Sequence, residues 1–185
     1  MDFSYLRAWL EFYRPAMRTR VRWLLSLLDP QPADDVLDVG PGPGYSTALI
    51  ASRLTKGRVV GVDASKLMVD VAYRRLRRHL RSGQASLVRA ETAHLPRFDV
   101  AFDKVLVSDV GRVEGDLEAV LSLLRRRMTP GGRIAIALQP RELGTAQSEG
   151  ARLAAALTSA GFAQVETHFS LPVACATGRR PTADG

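Results

Sequence analysis

The sequence predicts an α/β protein with one seven-stranded, mostly parallel sheet, helices on both faces and an antiparallel hairpin at the C-terminal end. Three observations predict it. From residue 34 onward, apolar runs of strand length alternate with amphipathic segments of helix length. That alternation means a parallel sheet, because a parallel neighbour is reached only through a crossover, usually a helix. The first run, Val36-Leu37-Asp38-Val39, opens into Gly40-Pro41-Gly42-Pro43-Gly44, with glycines at alternate positions. The last two runs, 163–170 and 172–178, meet at Leu171-Pro172 with no helix between them. A connection that short joins only antiparallel strands.

The elements follow in order. Residues 3–28 read as helix, bent or broken near Pro15, with Leu6, Leu10, Tyr13, Met17, Val21, Leu24, Leu25 and Leu28 at three- and four-residue steps. Pro30 and Pro32 end it. Strands are expected at 35–39, 58–62, 85–90, 102–107, 132–138, 163–170 and 172–178. Helices are expected at 45–55, 65–81, 114–128 and 147–160. On 65–81, Met68, Val69, Ala72, Leu76 and Leu80 share one face, and Arg74, Arg75, Arg77, Arg78 and Arg81 fall on the other, as on a solvated helix. At 185 residues the chain is one domain. It divides into an N-terminal helical segment (1–32), an α/β core (34–178) and a short frayed tail (179–185).

In open α/β sheets, ligands lie beyond the carboxyl ends of the strands, where the strand order reverses. Gly40–Gly44, Asp63, Glu91 and Ser108-Asp109 each follow an expected strand, so all point to that edge. A strand, a glycine-rich turn, a helix and an acid at the tip of the next strand form a nucleoside-binding unit. Glycine lets the backbone approach the ligand, and the acid takes hydrogen bonds from ribose hydroxyls. Spacing separates the cofactors. A dinucleotide site needs G-x-G-x-x-G, which from Gly40 and Gly42 requires glycine at 45, where the chain has Tyr45. The spacing from Asp38 to Gly44 is instead D-x-G-x-G-x-G.

That spacing resembles motif I of class I S-adenosylmethionine-dependent methyltransferases, and the resemblance extends over residues 34–170. Asp63 to Ala72 is similar to the second motif, and Val88 to Pro96 to the stretch after the third strand. Phe102 to Val107 resembles the fourth strand, Thr129-Pro130-Gly131-Gly132 the turn into the fifth, and Ala160-Gly161-Phe162 the end of the following helix. The nearest type is the small enzymes related to ubiquinone and menaquinone methyltransferases. The resemblance implies a Rossmann-like fold with an antiparallel seventh strand. It implies S-adenosylmethionine as cofactor, S-adenosylhomocysteine as product, and no metal. It implies cofactor contacts from Asp38, Gly40, Gly42, Gly44, Asp63, Ala64, Met68, Glu91, Thr92 and Ser108, with Asp63 on the ribose and Glu91 on the adenine amino group.

Methyl transfer from a sulfonium is an in-line displacement from an activated donor, so the protein must chiefly align the acceptor and exclude water. A general base is needed only where the nucleophile carries a proton at neutral pH. The candidates are Asp109 and His94, the latter read first as a loop histidine. Relatives often carry histidine just after the position of Asp109, and here the run is Asp109-Val110-Gly111-Arg112. Asp109 follows the fourth strand beside the expected methyl position and is the catalytic candidate, with capping or binding of a substrate cation as its alternatives. Six of the 12 aromatic residues, Phe3, Tyr5, Trp9, Phe12, Tyr13 and Trp23, fall within the first 23 positions. In relatives this segment is a lid over cofactor and acceptor. Tyr5, Trp9 and Tyr13 are expected to line an aromatic pocket for a small, apolar or aromatic acceptor; the alternative is that the aromatics pack the helix onto the sheet.

The chain carries 23 arginines, three lysines and a net charge of +7. Such a balance suits an acidic partner, nucleic acid or an anionic membrane. The helical phase of the arginines favours the plainer reading of solvated surface, and Arg125-Arg126-Arg127 end a helix, where cations suit the dipole. Three functions fit these features: a small-molecule methyltransferase, an RNA methyltransferase, and a cofactor-binding protein without catalysis. Cys175 is the single cysteine, which excludes an intrachain disulfide and argues against arsenite methylation, a reaction that uses several thiols. No apolar run approaches the roughly 20 residues needed to span a bilayer, and no signal-peptide layout is visible. A cytoplasmic protein is expected.

Overall fold

The computed structural model describes residues 14–108, 117–140 and 144–182. Tyr5, Trp9, Tyr13 and Asp109 lie outside the described residues. Within them the elements are α1 (Arg14–Leu28), β1 (Val36–Val39), α2 (Tyr45–Ala51), β2 (Val59–Asp63), α3 (Lys66–Arg81) and β3 (Ala85–Arg89). After a 3-10 turn (Thr92–His94) come β4 (Phe102–Ser108), α4 (Leu117–Arg126), β5 (Met128–Leu138), α5 (Ala146–Ser159), β6 (Ala163–Ser170) and β7 (Val173–Arg179). The sheet order is β3-β2-β1-β4-β5-β7-β6. The pairs among β1 to β5 are parallel, and β7 runs antiparallel to both β5 and β6. The expected α/β sheet is thus present with its hairpin. The order reverses between β1 and β4, and this sets the ligand edge.

Side chains alternate between two cores along each strand. Leu37, Val39, Val60, Val62, Val105, Val107, Ile134 and Ile136 pack with Leu121 and Leu124 of α4 and Leu153 and Leu157 of α5. Val36, Val59, Leu106, Ala135, Ala137 and Cys175 pack on the other face with Leu24, Leu25 and Leu28 of α1, Ile50 of α2, and Ala72 and Leu76 of α3. Both faces are covered, which explains the near-continuous apolar strands. Alternation also puts Asp38 on the α1–α3 side, beneath the turn that follows β1.

Leu24, Leu25 and Leu28 are fully buried. The second half of the 1–32 segment is therefore a core helix, and the lid expectation is left to residues 1–13. Helix α1 runs antiparallel to the parallel strands. Arg20 Nη1 donates to Gln139 Oε1 at 3.1 Å, just past the carboxyl end of β5, and the chain leaves α1 to enter β1 from the amino edge. Its N-terminus consequently lies on the ligand side. No helix among the described residues is long and apolar enough to cross a membrane.

Helix α2 ends at Ala51 and not 55, α4 ends at Arg126 and not 128, and two further departures concern β5 and the C-terminus. Strand β5 begins at Met128, not 132. Met128 pairs with Phe102, and the register then shifts so that Arg133 pairs with Lys104. Thr129–Gly132 is thus an irregularity within the strand, not a turn ahead of it, and Gly131 takes φ +77° there. The tail also starts later than residue 179. Strand β7 includes Arg179, and Arg180 donates its N–H to Gly132 O at 2.8 Å while accepting from Gly131 N–H at 2.9 Å. Its guanidinium donates to Met128 O. The irregular stretch leaves backbone groups in need of partners, and the C-terminal arginines satisfy them.

Candidate cofactor site

The site is built on the turn from β1 into α2. Gly40, Gly42 and Gly44 all have positive φ, +72°, +53° and +81°, but their neighbours differ. A Cβ on Gly40 would stand 2.6 Å from the Ser108 carbonyl oxygen, and one on Gly44 would stand 2.9 Å from Ala72 Cβ. The turn is therefore pressed against the end of β4 on one side and against α3 on the other. A Cβ on Gly42 would meet nothing within 4 Å, so that glycine borders open space.

Asp38 is fully buried below this turn. The Ser46 and Thr47 hydroxyls, in the first turn of α2, donate to its Oδ2 at 2.6 and 2.7 Å. Its Oδ1 has no partner. Burial pushes the Asp38 carboxyl up to about 6; the two hydroxyls oppose the rise and the neighbouring Asp63 charge adds to it. A buried carboxylate oxygen without a donor is costly, and a cationic ligand group would relieve it.

Asp63 ends β2 and bridges two backbones. Its Oδ2 accepts from Gly42 N–H at 3.0 Å, and its Oδ1 from Ser65 N–H at 2.9 Å. Each oxygen keeps a second lone pair for a ligand. Ser65 caps α3 by accepting from Met68 N–H at 3.4 Å. Ala64 is exposed and Met68 half-buried. Ser108 closes β4, half-buried, with its carbonyl against Gly40. The ends of β1, β2 and β4 thus bring together Asp38, the three glycines, Asp63, Ala64, Met68 and Ser108. Glu91 and Thr92 follow β3, whose Arg89 is in register with Asp63. Glu91 Oε2 lies 3.2 Å from Nδ1 of His94, both side chains being exposed. His94 is thus a loop histidine paired to Glu91. Among the described residues no group of three or more His, Cys, Asp or Glu could hold a metal.

The arginine face of α3 needs one correction. Arg74, Arg77, Arg78 and Arg81 are exposed, as the phase predicts. Arg75 is not part of that free surface. Its guanidinium donates to the Pro43 carbonyl, and its Cζ lies 3.6 Å above the centroid of the Tyr45 ring. Sequence reading missed Arg75 together with Ser46 and Thr47. The hydroxyls had a visible signal, a Ser-Thr pair in the helical turn following a buried acid. Arg75 had a weaker one, its place at the border of the apolar stripe beside Ala72 and Leu76.

Comparison with known proteins settles the family. The methyltransferase domain profile matches residues 36–132. The chain belongs to the methyltransferase domain family. It is 30% identical over 174 residues to the methyltransferase YdaC of Bacillus subtilis, covering 89% of this chain and 93% of that protein. Nocamycin O-methyltransferase of Saccharothrix syringae is 37% identical over 130 residues, 69% of this chain and 44% of the relative. Demethylmenaquinone methyltransferase of Symbiobacterium thermophilum is 34% identical over 104 residues, 56% of this chain and 41% of the relative. The chain therefore spans less than half the length of these last two. Among solved structures, the N-methyltransferase NodS of Bradyrhizobium japonicum superposes with a TM-score of 0.71 at 20% identity, over 91% of this chain and 98% of that one. The methyltransferase is S-adenosylmethionine-dependent, and its sheet is the Rossmann-like one of that class.

Proposed function

We propose that this methyltransferase acts on a small, apolar or ring-bearing acceptor. The observation that carries the reading is the direction of α1. The helix begins on the ligand side of the sheet, and the chain ahead of it contributes Phe3, Tyr5, Trp9, Phe12 and Tyr13. Two relatives named for small molecules, nocamycin and demethylmenaquinone, support the same class.

The residues of the site fit S-adenosylmethionine. Oδ1 of Asp38 lacks a donor and would receive the cofactor's amino group. The Asp63 carboxylate would take the ribose hydroxyls, Glu91 the adenine amino group, and Gly42 leaves the space. Ala64, Met68, Thr92 and Ser108 would complete the lining. When bound, S-adenosylmethionine supplies a methyl group on a cationic sulfur, which departs as a neutral thioether. The chain's own task is to align the acceptor and exclude water, with Tyr5, Trp9 and Tyr13 as the apolar wall. Asp109, the residue after Ser108, would accept a proton on its carboxylate where the acceptor's nucleophile carries one.

Deleting residues 2–13 tests the reading. Among the described side chains of α1, Met17 is partly buried against the core and Val21, Leu24, Leu25 and Leu28 are buried in it, all beyond the deletion, so the shortened chain should fold. S-adenosylhomocysteine affinity should fall modestly, while methyl transfer to a panel of phenols and quinols should collapse. Full activity after truncation would exclude a lid, and a chain unfolded by circular dichroism would mean that the aromatics are core. Transfer only to RNA, lost steeply with salt, would replace the small-molecule acceptor.

A further inference from the structure

We infer that Arg75 is a positioning residue for cofactor binding, holding the glycine turn from behind in the shape that the ligand meets. The inference rests on the reading that this turn holds S-adenosylmethionine. Asp63 fixes the front of the turn through Gly42 N–H. Within it, Gly44 N–H donates to Pro41 O at 3.0 Å. The Pro43 carbonyl precedes α2, and Arg75 supplies it with a donor. The same guanidinium covers the ring of Tyr45, which is only 5% exposed. A single planar cation thus grips the residues on both sides of Gly44, where an added Cβ would stand 2.9 Å from Ala72 Cβ on the same helix α3.

The chemistry favours arginine. A guanidinium can donate in its plane to a carbonyl and present its face to an aromatic ring; a lysine ammonium is a point charge and does not combine the two in one geometry. Such support suits the turn because its three glycines take positive φ, and glycine is the residue with the most conformational freedom to lose on being fixed. Asp63 and Arg75 belong to consecutive elements, β2 and α3, so one chain segment supplies both the residue read as the ribose acid and the support behind the turn.

The test uses the full chain with Arg75→Gln, Arg75→Lys, Tyr45→Phe and Tyr45→Leu, and Arg77→Gln as the exposed control on the same helix. Gln matches Arg in helix propensity, so α3 itself should survive. Two readouts are needed: amide hydrogen exchange at Gly42, Gly44 and Tyr45 without ligand, and calorimetric affinity for S-adenosylhomocysteine. Arg75→Gln should speed exchange in the turn, leave exchange in β1 and β4 unchanged, and weaken binding about tenfold, the scale of one hydrogen bond from a charged donor. Arg75→Lys should recover part of the loss. Tyr45→Phe should behave as wild type and Tyr45→Leu should resemble Arg75→Gln, while Arg77→Gln should change neither readout. Unchanged affinity in Arg75→Gln overturns the inference, whether or not exchange quickens. An Arg75→Gln chain that fails to fold overturns it as well, since Arg75 would then serve the fold. A wild-type chain that binds no S-adenosylhomocysteine refutes the cofactor reading instead; faster turn exchange in Arg75→Gln would still support the support of the turn by Arg75, and unchanged exchange would overturn it.

Discussion

Replacing Asp38 with asparagine should flatten the pH dependence of S-adenosylhomocysteine binding. In the ligand-free protein, burial raises the Asp38 carboxyl to about 6 from 3.8. An ammonium group against the partnerless Oδ1 would stabilise the ionised form and return the pKa toward its ordinary value. Binding then releases a proton below pH 6, and affinity falls by up to tenfold per pH unit there. Wild-type affinity at about pH 5 should be about tenfold weaker than at about pH 7.5. Asp38→Asn should show no such slope and should bind about tenfold or more weakly at the higher pH, having lost a hydrogen bond to a charged group. Stability without ligand moves the other way. A carboxyl whose folded pKa is raised favours the fold fully below pH 3.8, and that contribution is lost as pH rises through about 6. Two pKa units correspond to about 3 kcal/mol at most. Asp38→Asn should therefore be the more stable protein near pH 8 and the weaker binder. Calorimetry and denaturant melts across this range measure both effects. Parallel affinity profiles for the two proteins would refute the pairing of Asp38 with a cationic ligand group.

Other substitutions separate the parts of the site. Asp63→Ala should weaken S-adenosylhomocysteine binding by roughly ten- to a hundredfold. Asp63→Asn should fare little better, because both oxygens already accept from backbone N–H groups and an amide would turn a donor toward one of them; near-wild-type affinity for Asp63→Asn in calorimetry would contradict this. Gly40→Ala should lower the melting temperature, since its Cβ would stand 2.6 Å from Ser108 O. Gly42→Ala should cost less stability and more affinity, because its Cβ would enter open space where the ligand is expected. Equal losses of stability in the two variants would argue against that division.

The sheet was legible because its inner strands β1, β2, β4 and β5 are apolar on both faces and separated by amphipathic helices, a pattern that local chemistry controls. The hairpin at Leu171-Pro172 followed from connection length alone. The strand irregularity at Thr129–Gly132 was not legible, because Pro130-Gly131-Gly132 reads as a turn until the Arg180 pairing is seen. Asp38, Asp63 and the glycines were readable from spacing. The partnerless state of Asp38 Oδ1 was not, since it depends on which way the Ser46 and Thr47 hydroxyls face. Arg75 was assigned to the solvated face because helical phase distinguishes inside from outside, and its residue sits at the border, where tertiary contacts decide. Residues 1–32 were read as a helical lid bent or broken near Pro15, yet Leu24, Leu25 and Leu28 make the second half core.

The turn from Asp38 to Gly44 has the spacing for S-adenosylmethionine and not for a dinucleotide. Calorimetric titration of the intact protein with S-adenosylhomocysteine and, separately, with NAD tests it most directly. S-adenosylhomocysteine should bind saturably at one site per chain, with stabilisation of roughly 2.7 kcal/mol at about 100 times the dissociation constant, and NAD should give no comparable response. Tighter binding of NAD, or no binding of S-adenosylhomocysteine, would contradict it.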